Sequence, residues 1–333
     1  MSTDDFSGTK QTKKQMATIH PSASFDEDLA AEALERAMRG YGTDKQKVIE
    51  ILVRCNNAQR QMIRTPYKVR YGKDLENELR RELSGDLEDV ILALMQTPTK
   101  RDVLDLQKAM KGFGTNEKVL IEIIASRSND ELRAIRNTFY TTYDKSLEET
   151  IWSETSGDFR RMLVLLIQGT RDEYGIPQYH KAVQDAQQIM RACDKKSGQD
   201  KFEAFKILAT ASPSHLAYVY SELETISGYS IEKTIDHEYS GDMKTLLLAL
   251  VMVSQSKSKF FAHQIHNAIK GLGVRDKDLI RVLVSRAETD LATIQMEYER
   301  LFNKSLEQVI RDECKGDYRD ALLRIVKGNR SRY

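Results

Sequence analysis

The chain has 333 residues, 40% of them hydrophobic, enough to bury a sizeable core and on length alone suggesting two domains. Its 51 Lys and Arg against 50 Asp and Glu leave a formal charge of +1, which argues against nucleic acid as the main partner and makes the charged residues solvated helix faces. Cys55, Cys193 and Cys314 form neither a CxxC pair nor a disulfide framework. With no apolar leader and no apolar run near the ~20 residues of a membrane span, a soluble cytoplasmic protein is expected.

Residues 1–24 are polar and aperiodic, so they read as a flexible tail. Ser7, Thr9 and Thr12 beside Lys10, Lys13 and Lys14 are its candidate phosphorylation sites. From Phe25-Asp26-Glu27 onward the periodicity is helical. Leu29, Ala33, Leu34 and Met38 form one apolar stripe, and Val48, Ile51 and Leu52 form another. Between them lies Met38-Arg39-Gly40-Tyr41-Gly42-Thr43. Thr43 with Gln46 has capping-box spacing and predicts a helix start directly after the loop. Glu82 precedes Ser84-Gly85-Asp86, where Asp86 is the expected cap of a last helix over the apolar run Val90 to Met95.

The same landmarks return down the chain. The loop recurs as Met110-Lys111-Gly112-Phe113-Gly114-Thr115 and as Ile269-Lys270-Gly271-Leu272-Gly273-Val274, with a degraded copy at Asp194-Lys195-Lys196-Ser197-Gly198-Gln199. Glu82, Glu154, Glu238 and Glu313 follow Gly40, Gly112, Lys196 and Gly271 at one constant separation. Ser156-Gly157-Asp158 and Ser240-Gly241-Asp242 repeat the third landmark. Self-similarity therefore predicts an all-α chain of four repeats, with about five helices in each. The repeats span 25–96, 97–168, 180–254 and 255–328, with a Pro- and Gly-containing connector at 169–179 and a short C-terminal tail at 329–333.

A Gly-x-Gly loop between helices takes positive φ and can turn its carbonyl oxygens into one concavity. Carbonyls with a carboxylate make a hard-oxygen cage suited to calcium, so the first site reads as the carbonyls of Met38, Gly40 and Gly42 with the Glu82 side chain. One carboxylate leaves calcium under-neutralised, and a phospholipid phosphate supplies both the missing charge and a ligand. Several such sites on one face would gain ~10²–10⁴-fold in avidity. Lys45, Lys118 and Lys277 would each add about 1 kcal/mol of attraction to acidic head groups. Enzyme signatures fail: Gly40-Tyr41-Gly42 lacks a third glycine, no Walker sequence or HExxH occurs, and no glutamate closes an EF-hand at Asp194 to Phe202.

Met110-Lys111-Gly112-Phe113-Gly114-Thr115 with Glu154-Thr155-Ser156-Gly157-Asp158-Phe159 resembles the annexin family, over roughly residues 25–328. The resemblance implies a curved disc of four five-helix repeats and no catalysis. It also implies calcium-dependent, reversible binding to acidic phospholipids, with roles in membrane organisation, trafficking or repair, peripheral at membranes when calcium rises. Its ligand pattern carries over to Met38, Gly40, Gly42 and Glu82, to Met110, Gly112, Gly114 and Glu154, and to Ile269, Gly271, Gly273 and Glu313. The third set, Lys196, Gly198 and Glu238, departs from it and is expected to be silent, because a lysine replaces the first glycine. In the fourth, Val274 replaces the threonine, so a looser loop is expected. The family's polar axis falls on Asp105, Glu122, Arg127 and Arg281; it implies ion conduction, and the plainer reading is a buried salt-bridge network. The competing function is an α-helical scaffold for protein partners. A protein partner of the tail and lateral self-assembly on the bilayer stay open.

Overall fold

The computed structural model describes residues 16–40, 42–112, 114–194, 200–271 and 273–329. Every regular element among them is helical, in four successive groups. The first holds α1 (Glu27–Met38), α2 (Lys45–Arg54), α3 (Asn57–Tyr71), α4 (Leu75–Glu82) and α5 (Gly85–Met95). The second holds α6 (Pro98–Met110), α7 (Glu117–Ser126), α8 (Asn129–Tyr143), α9 (Leu147–Glu154) and α10 (Gly157–Ile167). The third holds α11 (Tyr179–Cys193), α12 (Lys201–Phe205), α13 (Ile207–Thr210), α14 (Pro213–Ser227), α15 (Ile231–Glu238) and α16 (Gly241–Gln255). The fourth holds α17 (Lys257–Ile269), α18 (Asp276–Arg286), α19 (Leu291–Phe302), α20 (Leu306–Glu313) and α21 (Gly316–Lys327). The third group has six helices because its second is split into α12 and α13 at Lys206.

Local chemistry sets these boundaries. Asp26 caps α1 by accepting from the Leu29 amide at 2.8 Å, and Ser128 and Ser146 open α8 and α9 with full capping boxes. The buried stripe of α1 is Ala31, Leu34, Ala37 and Met38. Leu29, expected in that stripe, is instead 64% exposed, since at 3.6 residues per turn it lies on the side of the helix opposite the buried Ala31 and Met38. Asp86 and Asp158 are not caps. They sit in the first turns of α5 and α10, which begin at Gly85 and Gly157, and there their charge still complements the helix N-terminus.

The chain divides into two compact units. One comprises residues 1–91 with 280–333, and the other residues 92–279. In the first, Arg60 is buried and donates to the carbonyls of Leu52 and Cys55 at 2.9 and 2.7 Å while pairing with Glu288. Glu35 accepts from the Tyr67 hydroxyl at 2.6 Å and from Lys73 at 3.3 Å.

The expected flexible tail needs correction where it is described. Ile19 and Thr18 are buried. The amides of Thr18 and Ile19 both donate to the Ala287 carbonyl, the Thr18 hydroxyl donates to Ile325 O at 2.8 Å, and the His20 amide donates to Asn329 at 2.9 Å. A Cβ at Gly328 would lie 1.9 Å from the Thr18 carbonyl oxygen, so only glycine permits this approach. These are long-range bonds, invisible to local periodicity. Ser7, Thr9 and Thr12 lie outside the described residues.

In the second unit the 169–178 connector is pinned rather than loose. Asn129 exchanges two hydrogen bonds with the Arg171 backbone at 2.7 and 3.1 Å, Arg133 donates to Gly169 O at 2.9 Å, and the Asp172 amide donates to Thr210 O at 2.9 Å. No helix among the described residues is long and apolar enough to cross a membrane.

Candidate metal centre

Three loops share one backbone frame. The amide after each loop donates back across it: Asp44 to Ala37 O, Asn116 to Ala109 O and Arg275 to Ala268 O, each at 2.8 Å. Inside the frame Gly40 and Gly42 have φ of 114° and 90°, Gly112 and Gly114 have 117° and 87°, and Gly271 and Gly273 have 148° and 98°. A Cβ at any of the six would meet nothing within 4 Å. Backbone angle, not space, therefore selects glycine here. Met38, Met110 and Ile269 end their helices with buried side chains. Carbonyls at a helix end lack intrahelical partners, and the closing bond uses the preceding alanine, so the terminal carbonyl is not consumed by it. Tyr41, Phe113 and Leu272, at the loop tips, lie outside the described residues.

The four glutamates also share a position, each as the last residue of an eight-residue helix: Glu82 of α4, Glu154 of α9, Glu238 of α15 and Glu313 of α20. In the first repeat the Thr43 hydroxyl donates to Glu82 Oε2 at 2.8 Å, and Arg81 stands 3.6 Å from the other oxygen. In the second, the Thr115 hydroxyl donates to the Glu154 backbone carbonyl at 3.0 Å. Loop and remote glutamate are thus brought together in both.

Thr43 does not cap α2, contrary to the capping-box reading. Asp44 does, accepting from the Lys47 amide at 2.9 Å. Gln46 donates instead to Asp317 and Asp320 at 3.0 and 3.1 Å. A threonine hydroxyl donates as readily as it accepts, and the strong acceptor at Glu82 takes it. The signal was available in the sequence, since threonine recurs at the loop end of the first two repeats.

The third repeat differs. Lys196 and Gly198 lie outside the described residues. Glu238 is described, and the Lys201 ammonium pairs with it. Lys201 opens α12, and its role was not read from the sequence. Nearby, burial first and then Glu238 push the Cys193 thiol up to about 11, against the opposing pull of Lys201.

In the fourth repeat Val274 offers no hydroxyl, yet the backbone frame closes at the same 2.8 Å. The expected loosening is confined to the missing side-chain tether. Ile269, Gly271 and Gly273 belong to the second unit and Glu313 ends α20 in the first.

The donor chemistry fits a hard cation. No three His, Cys, Asp or Glu side chains gather as a metal-binding group among the described residues, which leaves one carboxylate per loop and backbone oxygens for the rest. Such a set has neither the nitrogen nor the sulfur ligands typical of zinc, and suits calcium.

Among the polar-axis residues, Arg127 is the one whose ion pair is described. Arg127 is buried and grips Asp102 through Nε at 2.6 Å and Nη2 at 2.8 Å, and its Nη1 donates to Ser126 at 2.9 Å. Burial alone would lower the Arg127 guanidinium, but Asp102 beside it more than reverses this and holds it raised. The bidentate pair ties α6 to the end of α7. Asp102 was missed because it lies one turn from Asp105 on the same helix. Glu122 and Arg281 are buried; Arg281 belongs to the first unit and the other three to the second.

The annexin family profile matches residues 29–94, 101–166, 184–250 and 260–325. Annexin A11 of Homo sapiens is 43% identical over 312 residues, covering 94% of this chain, which spans 62% of that relative's length. Annexin A5 of Gallus gallus is 43% identical over 317 residues, covering 95% of this chain and 99% of its own. Among solved structures, annexin III superposes with a TM-score of 0.91 at 39% identity, covering 95% of this chain and 98% of its own. Calcium-bound annexin (Sm)1 superposes with 0.82 at 30% identity, covering 94% and 93%. With four matched repeats, the same all-helical fold and relatives above 40% identity across nearly its whole length, the chain belongs to the annexin family.

Proposed function

We propose that this protein binds acidic phospholipid membranes reversibly and peripherally, through calcium held by the first and second loops and, by the same pattern, the fourth. The annexin family is known for calcium-dependent phospholipid binding, and its members are in general non-enzymatic binding proteins. The observation that carries the reading is the threonine bond from loop to glutamate, Thr43 to Glu82 and Thr115 to Glu154. It supports Met38, Gly40, Gly42 and Glu82 as one ligand set and Met110, Gly112, Gly114 and Glu154 as a second. The loop residues Ile269, Gly271 and Gly273 join them by their sequence pattern. Bound calcium supplies two positive charges and open coordination positions that a lipid phosphate oxygen can fill.

The chain's own residues do the rest. Positive-φ glycines keep the loop carbonyls exposed, the helix-end side chains anchor the loop in the core, and the glutamate contributes one negative charge. Because that charge is half of what the ion needs, the loop alone binds weakly and the anionic membrane completes it. Cytoplasmic residence and recruitment when calcium rises follow from this reading, as do roles in organising, trafficking or repairing membranes. Lys196, Gly198 and Glu238 are left out, since Lys201 already occupies Glu238.

Two measurements test it. The full chain should pellet with phosphatidylserine vesicles in calcium and stay in solution in chelator; equal pelleting in both, or none in either, sinks the reading. Trp152, the only tryptophan, is 57% exposed two residues before Glu154, with the Arg160 guanidinium 4.7 Å from its ring. Calcium should change its fluorescence, and Glu154→Ala should abolish the change. A calcium response that survives in that variant refutes the second-loop assignment.

A further inference from the structure

Helices α7, α16 and α17 line an open cleft of about 490 Å³ within the second unit, inside the ~300–1,000 Å³ range of small-molecule sites. Its wall is graded. On α16, Lys244, Leu248 and Met252 recur every fourth residue and so share one face. On α17, Phe260, His263 and Asn267 lead towards Lys270 at the helix end. The two helices meet at Ser256, so Met252 and Phe260 lie towards the junction while Lys244 and Lys270 lie towards the opposite end. Helix α7 adds Lys118 one turn ahead of the buried Ile121.

The charges at the cationic end are not all spoken for. Lys244 pairs with Asp236 at 2.8 Å and Arg275 with Asp278 at 2.9 Å. Lys118 and Lys270 make no ion pair among the described residues, and both are exposed. Burial first, then Lys259 and His266, keep the His263 imidazolium disfavoured, so that residue offers a neutral polar edge rather than a charge. Leu248 and Met252 are left half-buried on the wall.

Two uncompensated ammonium groups above an apolar recess complement an anionic head on one hydrocarbon chain. We propose that this cavity binds a single-chain anionic amphiphile, with its chain against Leu248, Met252 and Phe260 and its phosphate or carboxylate head at Lys118 and Lys270. Free phosphate lacks the part the apolar wall recognises, and a neutral chain lacks the part the lysines recognise. The site needs no calcium. Its test therefore runs in chelator, and its failure leaves the membrane reading untouched.

Isothermal titration of the full chain in chelator with decyl phosphate, kept below its micelle concentration, should give one saturable site. Inorganic phosphate and decyl maltoside should bind roughly tenfold or more weakly. Lys118→Glu with Lys270→Glu should weaken decyl phosphate by roughly tenfold or more. Leu248→Trp, which fills the apolar end, should do the same with its helical melting retained; if it fails to fold, Met252→Gln serves as the apolar arm. Undiminished binding in the charge variant, or in the apolar variant, overturns the proposal. So does inorganic phosphate that matches decyl phosphate, which would mark a cationic patch and no chain site.

Discussion

Glu82 and Glu238 occupy the same place in their repeats, each ending an eight-residue helix, and they meet different neighbours. Glu82 receives the Thr43 hydroxyl at 2.8 Å. Glu238 receives the Lys201 ammonium. A hydroxyl orients a carboxylate and leaves its charge for an incoming cation, and the Arg81 guanidinium, 3.6 Å from the other oxygen, is itself exposed to solvent and holds that charge only loosely. An ammonium neutralises that charge and repels the cation by about 1–4 kcal/mol per unit charge at ~4 Å. The glutamate alone does not make a site, because the residue facing it decides whether its charge is available.

The largest expected effect comes from removing the two available carboxylates. Glu82→Ala with Glu154→Ala should raise the calcium needed for half-maximal vesicle binding by about 30-fold or more, the equivalent of ~2 kcal/mol. Glu238→Ala should shift it by less than about twofold. Vesicle co-sedimentation across a calcium series reads both, and comparable shifts in the two variants would erase the contrast. Next in size is its reversal. Lys196→Gly with Lys201→Thr restores the loop glycine and puts a hydroxyl where the ammonium was. Calcium titration with vesicles present should then count one more equivalent bound than wild type. Because Lys201 is 34% exposed, loss of the pair should cost under about 1 kcal/mol in a denaturant melt, so an unchanged calcium count cannot be blamed on unfolding.

The same contrast explains what could be read from the residues beforehand. Positive φ leaves a compositional mark, so Gly40, Gly42 and their copies announce the loops, and helical periodicity announces α2 and α10. Repetition then exposes the glutamates. Pairings between groups far apart in sequence leave no such mark. Nothing local says that Arg127 pairs with Asp102, that Lys201 turns to Glu238, or that Thr18 hydrogen-bonds Ile325. Thr43 was visible but ambiguous, since its hydroxyl suits a cap and a tether equally and only the packed position of Glu82 settles which.

Thr43→Val sharpens the comparison at smaller scale by giving the first loop the fourth loop's residue. The backbone frame should survive, as it does beside Val274. What is lost is one hydrogen bond that holds Glu82 in place before the ion arrives, worth about 1 kcal/mol. A rise of about fivefold in the calcium requirement is expected, read in a Glu154→Ala background so that the first loop dominates. No rise would mean that the tether is incidental to the site.

The smallest effect reports on the third repeat without any calcium. Cys193 is half-buried whereas Cys55 and Cys314 are buried, so iodoacetamide should label Cys193 first. Its thiol is pushed up to about 11, chiefly by burial, with Glu238 adding to the rise and Lys201 opposing it. A cation favours the reactive thiolate and an anion disfavours it. Labelling in wild type should therefore keep accelerating beyond pH 9 instead of levelling off at an ordinary thiol value. Lys201→Gln removes the favourable charge and should slow labelling at fixed pH, while Glu238→Gln should speed it, each by a factor of about two to five. Peptide mapping of the labelled chain measures both. Opposite shifts place the ammonium and the carboxylate together beside Cys193 in solution. Shifts of the same sign would mean that the pair is absent there, and Glu238 would then be as available to a cation as Glu82.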